Sequence, residues 1–134
     1  MPELPEVETI IRGLRPHLEG FSIKRINVRR HDLRAPVPKN LSKRILGSEI
    51  EVIKRRGKYI LVFFENSKVL IIHLGMSGKM IVYDQNEKEN KHNHVVFTLN
   101  SGKKLIFNDP RRFGFIKLFY NEKQLNNYFE KFGP

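Results

Sequence analysis

Cysteine is missing from all 134 residues, which excludes disulfide bridges, a thiolate nucleophile and any cysteine-held zinc within this stretch. Acidic residues are scarce: 14 Asp and Glu stand against 25 Lys and Arg, a net charge of +11. That excess is the electrostatic footprint of a nucleic-acid binder. The basic residues are not gathered on one amphipathic helix, so an anionic membrane surface is the poorer fit. Long apolar runs are lacking too. The longest, Tyr59 to Phe64, falls far short of the roughly 20 residues that span a bilayer. Glu3, Glu6 and Glu8 occupy the place where a secretory signal needs positive charge and then an apolar stretch. The expectation is a cytoplasmic protein with no membrane partner. Hydrophobic residues make up 40%, enough for a packed core, and the length suits one domain.

The chain opens on helical periodicity. Val7, Ile10, Ile11, Leu14 and Leu18 recur at the spacing of one helix face, predicting an amphipathic helix over 5–18. Pro5 suits its first turn, Pro16 disturbs its last, and Gly20 lies near its end. Strand-like runs follow at 22–29, 50–55, 59–65, 68–73, 79–82, 94–99, 103–108 and 115–119. Asn66-Ser67 and Asn100-Ser101-Gly102 provide hairpin connections. Residues 84–93 are polar and without apolar period, and read as a mobile surface loop. Leu125, Tyr128, Phe129 and Phe132 predict a closing helix from about Glu122 to just before Gly133. The fold class is therefore α+β, mostly β: an antiparallel β-sandwich of about eight strands flanked by an N-terminal and a C-terminal helix.

The start, Met1-Pro2-Glu3-Leu4-Pro5-Glu6, carries the sharpest chemical signal. Removal of the initiator methionine leaves Pro2 with a free secondary amine, which attacks an aldehyde-like carbon to form an iminium cation. An ordinary α-amino group titrates near pKa ~8, so a fraction is neutral and reactive at physiological pH. Glu3 and Glu6 lie within a turn of that amine and can shuttle protons, although acidic residues at a helix start also simply complement its dipole. Three further segments combine glycine turns with cationic or apolar side chains. Lys54-Arg55-Arg56-Gly57-Lys58-Tyr59 is a basic turn suited to clamping a phosphate. His73-Leu74-Gly75-Met76-Ser77-Gly78 holds Met76 up on a tight loop, with His73 either a phosphate donor or a satisfied sheet histidine. Asn108-Asp109-Pro110-Arg111-Arg112-Phe113-Gly114 places two guanidinium groups beside an aromatic ring, a combination suited to wedging open a duplex and filling the gap left by an extruded base. His92 and His94 show no third metal ligand, so strand-edge or phosphate-contact roles are expected of them and no metal site.

Taken in order, Met-Pro-Glu-Leu-Pro-Glu-Val-Glu-Thr, Gly-Lys-Tyr, His-Leu-Gly-Met-Ser-Gly and Asp-Pro-Arg-Arg-Phe-Gly resemble bacterial formamidopyrimidine-DNA glycosylase across essentially the whole chain. Leu4 points to the branch that removes oxidised purines, chiefly 8-oxoguanine and formamidopyrimidines, rather than the endonuclease VIII branch. The resemblance implies that Pro2 is the nucleophile, Glu3 the acid that assists sugar-ring opening, Glu6 a supporting carboxylate and Lys58 the hairpin lysine at the phosphate near the lesion. It also implies that Met76, Arg111 and Phe113 enter the duplex, Arg111 facing the orphaned cytosine, while Arg112 and His73 hold phosphates; His92 is assigned to DNA contact as well. The implied partner is double-stranded DNA carrying an oxidised purine, met by a monomer. In the family a helix–two-turn–helix domain and a four-cysteine zinc finger follow, so residues 1–134 read as the N-terminal catalytic domain alone, with no cofactor in this chain and weak or no activity in isolation. Two rivals remain open: a non-catalytic damage- or duplex-binding module, and a small basic RNA-binding protein.

Overall fold

A computed structural model describes residues 4–84, 86–88 and 90–133. Helix α1 (Leu4–Leu18) leads into β1 (Ile23–Val28), a short helix α2 (Leu41–Ile45), seven strands β2 (Ile50–Arg56), β3 (Tyr59–Phe64), β4 (Val69–His73), β5 (Lys79–Tyr83), β6 (Asn93–Leu99), β7 (Lys104–Asn108) and β8 (Phe115–Phe119), and finally α3 (Glu122–Phe132). The strands form two four-stranded sheets, ordered β1-β6-β7-β5 and β2-β3-β4-β8, antiparallel at every pairing. The expected sandwich with a helix at each end is what the chain forms. Helix α2 is the element that periodicity missed. At five residues it is too short to show a repeat, and only Leu41 and Ile45 are buried.

Alternation explains why β3 and β4 read as continuous apolar runs. Ile60, Val62, Leu70, Ile72 and Ile116 point inward to the core between the sheets. Their neighbours Leu61, Val69, Ile71 and Phe115 point outward, to a second cluster completed by Leu125 and Phe129 of α3. A sheet covered on both faces needs apolar residues at odd and even positions alike. Helix α3 is started by Asn121, whose side chain accepts from the Gln124 amide.

Helix α1 buries Val7, Ile11, Leu14 and Leu18 and docks on the edge strand β2 through polar contacts as well. Arg15 Nε and Nη2 donate to the Ile53 carbonyl at 3.2 and 3.1 Å, while Glu19 Oε2 accepts from the Ile53 amide at 2.8 Å. The two side chains thereby occupy backbone groups that an open sheet edge would expose. Pro16 lies inside the helix without ending it; α1 continues to Leu18. Nearer the helix start, Glu8 pairs with Arg55 at 2.8 Å, and Arg55 also donates to the Gly57 carbonyl. The start of α1 therefore points along β2 toward the β2–β3 turn.

The described residues between Asp84 and His92 form no helix or strand, as expected of a surface loop. Glu87 accepts from Arg29 and from Asn93 Nδ2, which pins the segment to the first sheet. Asn93 already belongs to β6.

Phe97 is fully enclosed between the sheets, whereas Phe132 at the end of α3 is 65% exposed. Phe97→Ala is expected to lower stability by about 3–5 kcal/mol in urea unfolding with an unchanged slope. Phe132→Ala should stay within about 0.5 kcal/mol of the parent.

Candidate nucleic-acid interface

Strand register gathers the site at one end of the sandwich. Tyr59, His73 and Phe115 face one another across β3, β4 and β8. Lys79, Asn108 and Asn93 do the same across β5, β7 and β6. The β2–β3 turn and the two loops that cross between sheets, 74–78 and 109–114, consequently share a rim.

In the β2–β3 turn, Arg56 pairs with Tyr59, leaving Gly57 and Lys58 as the two loop residues. Gly57 has φ 58°, the conformation a two-residue turn of type II′ requires at its first position. Lys58 is thereby held at the rim, half-buried. Behind it, Tyr59 lies edge-on to His73 and Phe129 with centroids 5.0 and 5.1 Å apart. Burial, with the Tyr128 hydroxyl beside it, pushes the Tyr59 phenol up to about 12, so it serves as packing and not as a base.

The fold buries His73, at 7% exposure. Its ring stacks on Phe115 at 5.2 Å, and Nδ1 accepts from the Gly75 amide at 3.1 Å. A neutral ring with Nδ1 as acceptor carries its proton on Nε2. Burial, and then the Arg34 and Lys58 cations, lower its pKa from the ordinary 6.5. The sheet-histidine reading thus accounts for its packing, and the Nε2 proton remains as its donor.

The two crossing loops abut backbone to backbone. A methyl placed on Gly75 would sit 2.7 Å from both the Gly114 nitrogen and the Phe113 carbonyl carbon, and Gly75 has φ 61°; no other residue fits there. On these loops Met76 and Phe113 are exposed at 53% and 48%. Arg111 is exposed as well, its Nη1 3.8 Å from Met76 Sδ. In the second loop Asp109-Pro110 begins a β-turn closed by the Arg112 amide on the Asp109 carbonyl at 3.2 Å. Arg112 then takes φ 59°, a left-handed conformation unusual outside glycine.

Asp109, which sequence reasoning did not single out, is the most enclosed polar residue at the rim, at 0% exposure. Its Oδ1 accepts from Ser77 Oγ at 2.6 Å and its Oδ2 from the Gly114 amide at 2.8 Å. Ser77 Oγ in turn accepts from the Arg111 amide at 3.0 Å.

Beside the 109–114 loop lies a hollow of about 280 Å³ lined by Arg30, Lys91, His92, His94, Pro110 and Arg112. His92 is half-exposed there, whereas His94 is buried and its Nε2–H donates to the Asp109 carbonyl at 2.6 Å. Asp32 moderates the charge: Arg30 Nη2 donates to its Oδ2 at 3.2 Å, and Arg112 Nη1 is 3.9 Å away. A hydrogen bond from Arg30 holds the Asp32 carboxyl below its ordinary range. A larger hollow, about 350 Å³, lies around Glu51, Glu65 and Glu122 at the opposite end of the second sheet, where a polyanion would be repelled. Among the described residues no group of three His, Asp or Glu can hold a metal ion, and no helix is long and apolar enough to cross a membrane.

Glu6 is exposed in the first turn of α1. Pro2 and Glu3 lie outside the described residues. Arg34 is a rim cation that sequence reasoning missed; it stacks over Phe115 at 5.3 Å, and the basic run from Arg29 to Arg34 was the only signal for it.

The family model for the formamidopyrimidine-DNA glycosylase N-terminal domain matches residues 1–116. The chain belongs to this family. Its similarity to the formamidopyrimidine-DNA glycosylase of Wolbachia pipientis subsp. Culex pipiens is 45% identity over 133 residues, 99% of this chain and 49% of the relative. With the Ruegeria pomeroyi enzyme it is 47% over 126 residues, covering 88% and 44%. Among solved structures, the Lactococcus lactis glycosylase bound non-covalently to DNA containing an abasic site superposes with a TM-score of 0.88 at 33% identity, over 97% of this chain and 49% of that one. The same protein in complex with DNA containing N7-benzyl-Fapy-dG gives 0.87 at 32%, over 97% and 48%. The chain spans about half the length of the curated relatives it matches.

The buried His73 gives a pH signature to the formamidopyrimidine-DNA glycosylase domain. Its folded pKa is below its unfolded value, so the unfolded chain protonates first as pH falls. The stability it contributes is whole above about pH 6.5 and is lost as pH falls toward the folded value. The urea midpoint should therefore decline between about pH 7 and pH 5.5, and His73→Gln should flatten that decline.

Proposed function

We propose that this chain is the catalytic N-terminal half of a base-excision repair enzyme that removes oxidised purines from duplex DNA and nicks the resulting abasic site. The observation that carries the reading is the rim itself: Met76, Arg111 and Phe113 stand exposed together, between Lys58 and a hollow lined by cations. Apolar side chains that enter a base step unstack it, and a base taken out of the stack becomes accessible to chemistry. Arg111, with its planar fork, suits the edge of the base left without a partner. Lys58, Arg112, His92 and the Nε2 proton of His73 suit backbone phosphates. Family membership supports the same reading: two structures of the Lactococcus lactis relative are complexes with DNA containing an abasic site and N7-benzyl-Fapy-dG.

The chemistry follows from the N-terminal amine. Pro2 nitrogen gives its lone pair to C1′, the bond from C1′ to the base breaks, and the base leaves with that electron pair and a proton. Glu3 protonates the sugar ring oxygen as the ring opens, which leaves an iminium between Pro2 and C1′. The cation draws electrons from C2′, so a C2′ proton is lost and the 3′ phosphate departs; a second elimination releases the 5′ phosphate. Glu6 supports these transfers from the first turn of α1. The isolated chain acts weakly, because a cleft built from half of a protein's length holds its substrate loosely.

A second reading, a duplex-binding module without chemistry, is favoured by one fact: the chain spans about half the length of its relatives. Borohydride reduction separates the two. With Met1 removed, the chain should form a covalent adduct with abasic-site DNA that Pro2→Gly abolishes and Lys58→Ala reduces by about tenfold or more, a loss of the size expected for a charged contact. Binding that weakens steeply with salt, with no adduct under any condition, would leave only the binding module standing.

A further inference from the structure

We infer that Asp109 and Ser77 are positioning residues which lock Met76, Arg111 and Phe113 into a single preformed wedge. The inference rests on the DNA-opening role proposed above and names what holds the wedge in shape. Met76 lies on one crossing loop, and Arg111 and Phe113 lie on the other. No strand pairing joins β5 to β8, because these strands belong to different sheets. The link is made by side chains. Ser77 Oγ gives its proton to Asp109 Oδ1 at 2.6 Å and accepts from the Arg111 amide at 3.0 Å; Asp109 Oδ2 accepts from the Gly114 amide at 2.8 Å. The residues flanking Phe113 on one side and Pro110 on the other are therefore both tied to the Met76 loop.

Asp109 is itself held by its backbone. Its amide donates to the His92 carbonyl at 3.1 Å, and its carbonyl accepts from His94 Nε2 at 2.6 Å and from the Arg112 amide at 3.2 Å. The lock thus also anchors the lining of the cationic hollow. Enclosure matters here, because hydrogen bonds to a carboxylate shielded from water are stronger and more directional than exposed ones. A wedge whose shape exists before binding does not lose loop entropy at the moment it enters the duplex. Ser77 and Asp109 act through their neighbours and touch no reacting atom.

Two measurements test this. Ser77→Ala removes both the donor to Asp109 and the acceptor for the Arg111 amide. Asp109→Ala removes the acceptor of both the Gly114 amide and the Ser77 hydroxyl. In hydrogen exchange of the free chain, Ser77→Ala should speed exchange of the Arg111 amide and Asp109→Ala that of the Gly114 amide, each about tenfold, the size of one lost hydrogen bond, while Ile72 and Ile106 amides keep the parent rate. In the second measurement a fluorescent purine analogue opposite an abasic site reports unstacking. The parent should brighten it, and both variants should give at least about a threefold smaller signal while binding undamaged duplex like the parent, because that binding is set by phosphate contacts. Parent-like exchange of the Arg111 amide in Ser77→Ala and of the Gly114 amide in Asp109→Ala would overturn the lock, as would parent-like brightening. A parent chain that fails to brighten the analogue would instead count against the DNA-opening role, and the exchange result would then decide the lock alone.

Discussion

The enclosed carboxylate of Asp109 is the constraint on which the functional end of this molecule depends. A sandwich of two sheets places its connecting loops at the ends, and loops have no ladder of their own to fix them. Here two loops that leave different sheets are made into one surface by a carboxylate without solvent exposure, one hydroxyl and a backbone amide. Removing any of the three leaves a desolvated polar group unpaired, which costs more than the bond itself contributed. Gly75 adds a steric requirement, since its backbone touches that of Phe113 and Gly114. Shape at the rim thus comes from polar satisfaction and close backbone approach rather than from apolar burial.

Much of the fold was legible because period and burial agree. Val7, Ile11, Leu14 and Leu18 announced α1, and each of them is buried. The outward residues of β3 and β4 announced strands without revealing that α3 covers them, since a run such as Val69 to Ile72 looks the same in any two-sided sheet. The site was legible in a different way. Met76 and Phe113 stood out as apolar side chains on glycine-flanked turns, a placement that makes little sense in a core, and both are exposed. Asp109 and Ser77 did not stand out, because Asp before Pro and Ser before Gly are ordinary turn residues. Their importance comes from meeting across 32 residues of chain, which no local pattern encodes. Arg34 was hidden for a similar reason: a cation in a basic run shows no sign of the ring it will stack on.

Charge is distributed as unevenly as shape. At the rim, the described carboxylates that approach the basic face are engaged by arginine: Glu8 with Arg55, Asp32 with Arg30 and Arg112, Glu87 with Arg29. Exposed pairs of this kind contribute little to stability. Their effect is on the field, because a neutralised carboxylate no longer opposes an incoming phosphate. Lys58, Lys91, Arg34 and Arg111 make no ion pair with any described residue, while Glu51, Glu65 and Glu122 surround the hollow at the far end. The result is a molecule with a direction. A polyanion steered by the overall charge of +11 meets the rim first.

Under the proposed function steering and wedging would act in sequence, each needing the other. Phosphate attraction is indifferent to base sequence and damage, so by itself it would hold any duplex equally. The wedge discriminates, since a step that is already weakened costs less to unstack, but three exposed side chains have too little area to bind a duplex alone. The fold joins the two by making the same residue serve both: Asp109 fixes the wedge through its carboxylate and fixes His92 and His94, in the cationic hollow, through its backbone. A phosphate seated in that hollow would therefore bear on a segment rigidly connected to Phe113. In the proposed function, binding energy gathered from the sugar–phosphate chain would be delivered to the base stack through this hydrogen-bonded connection.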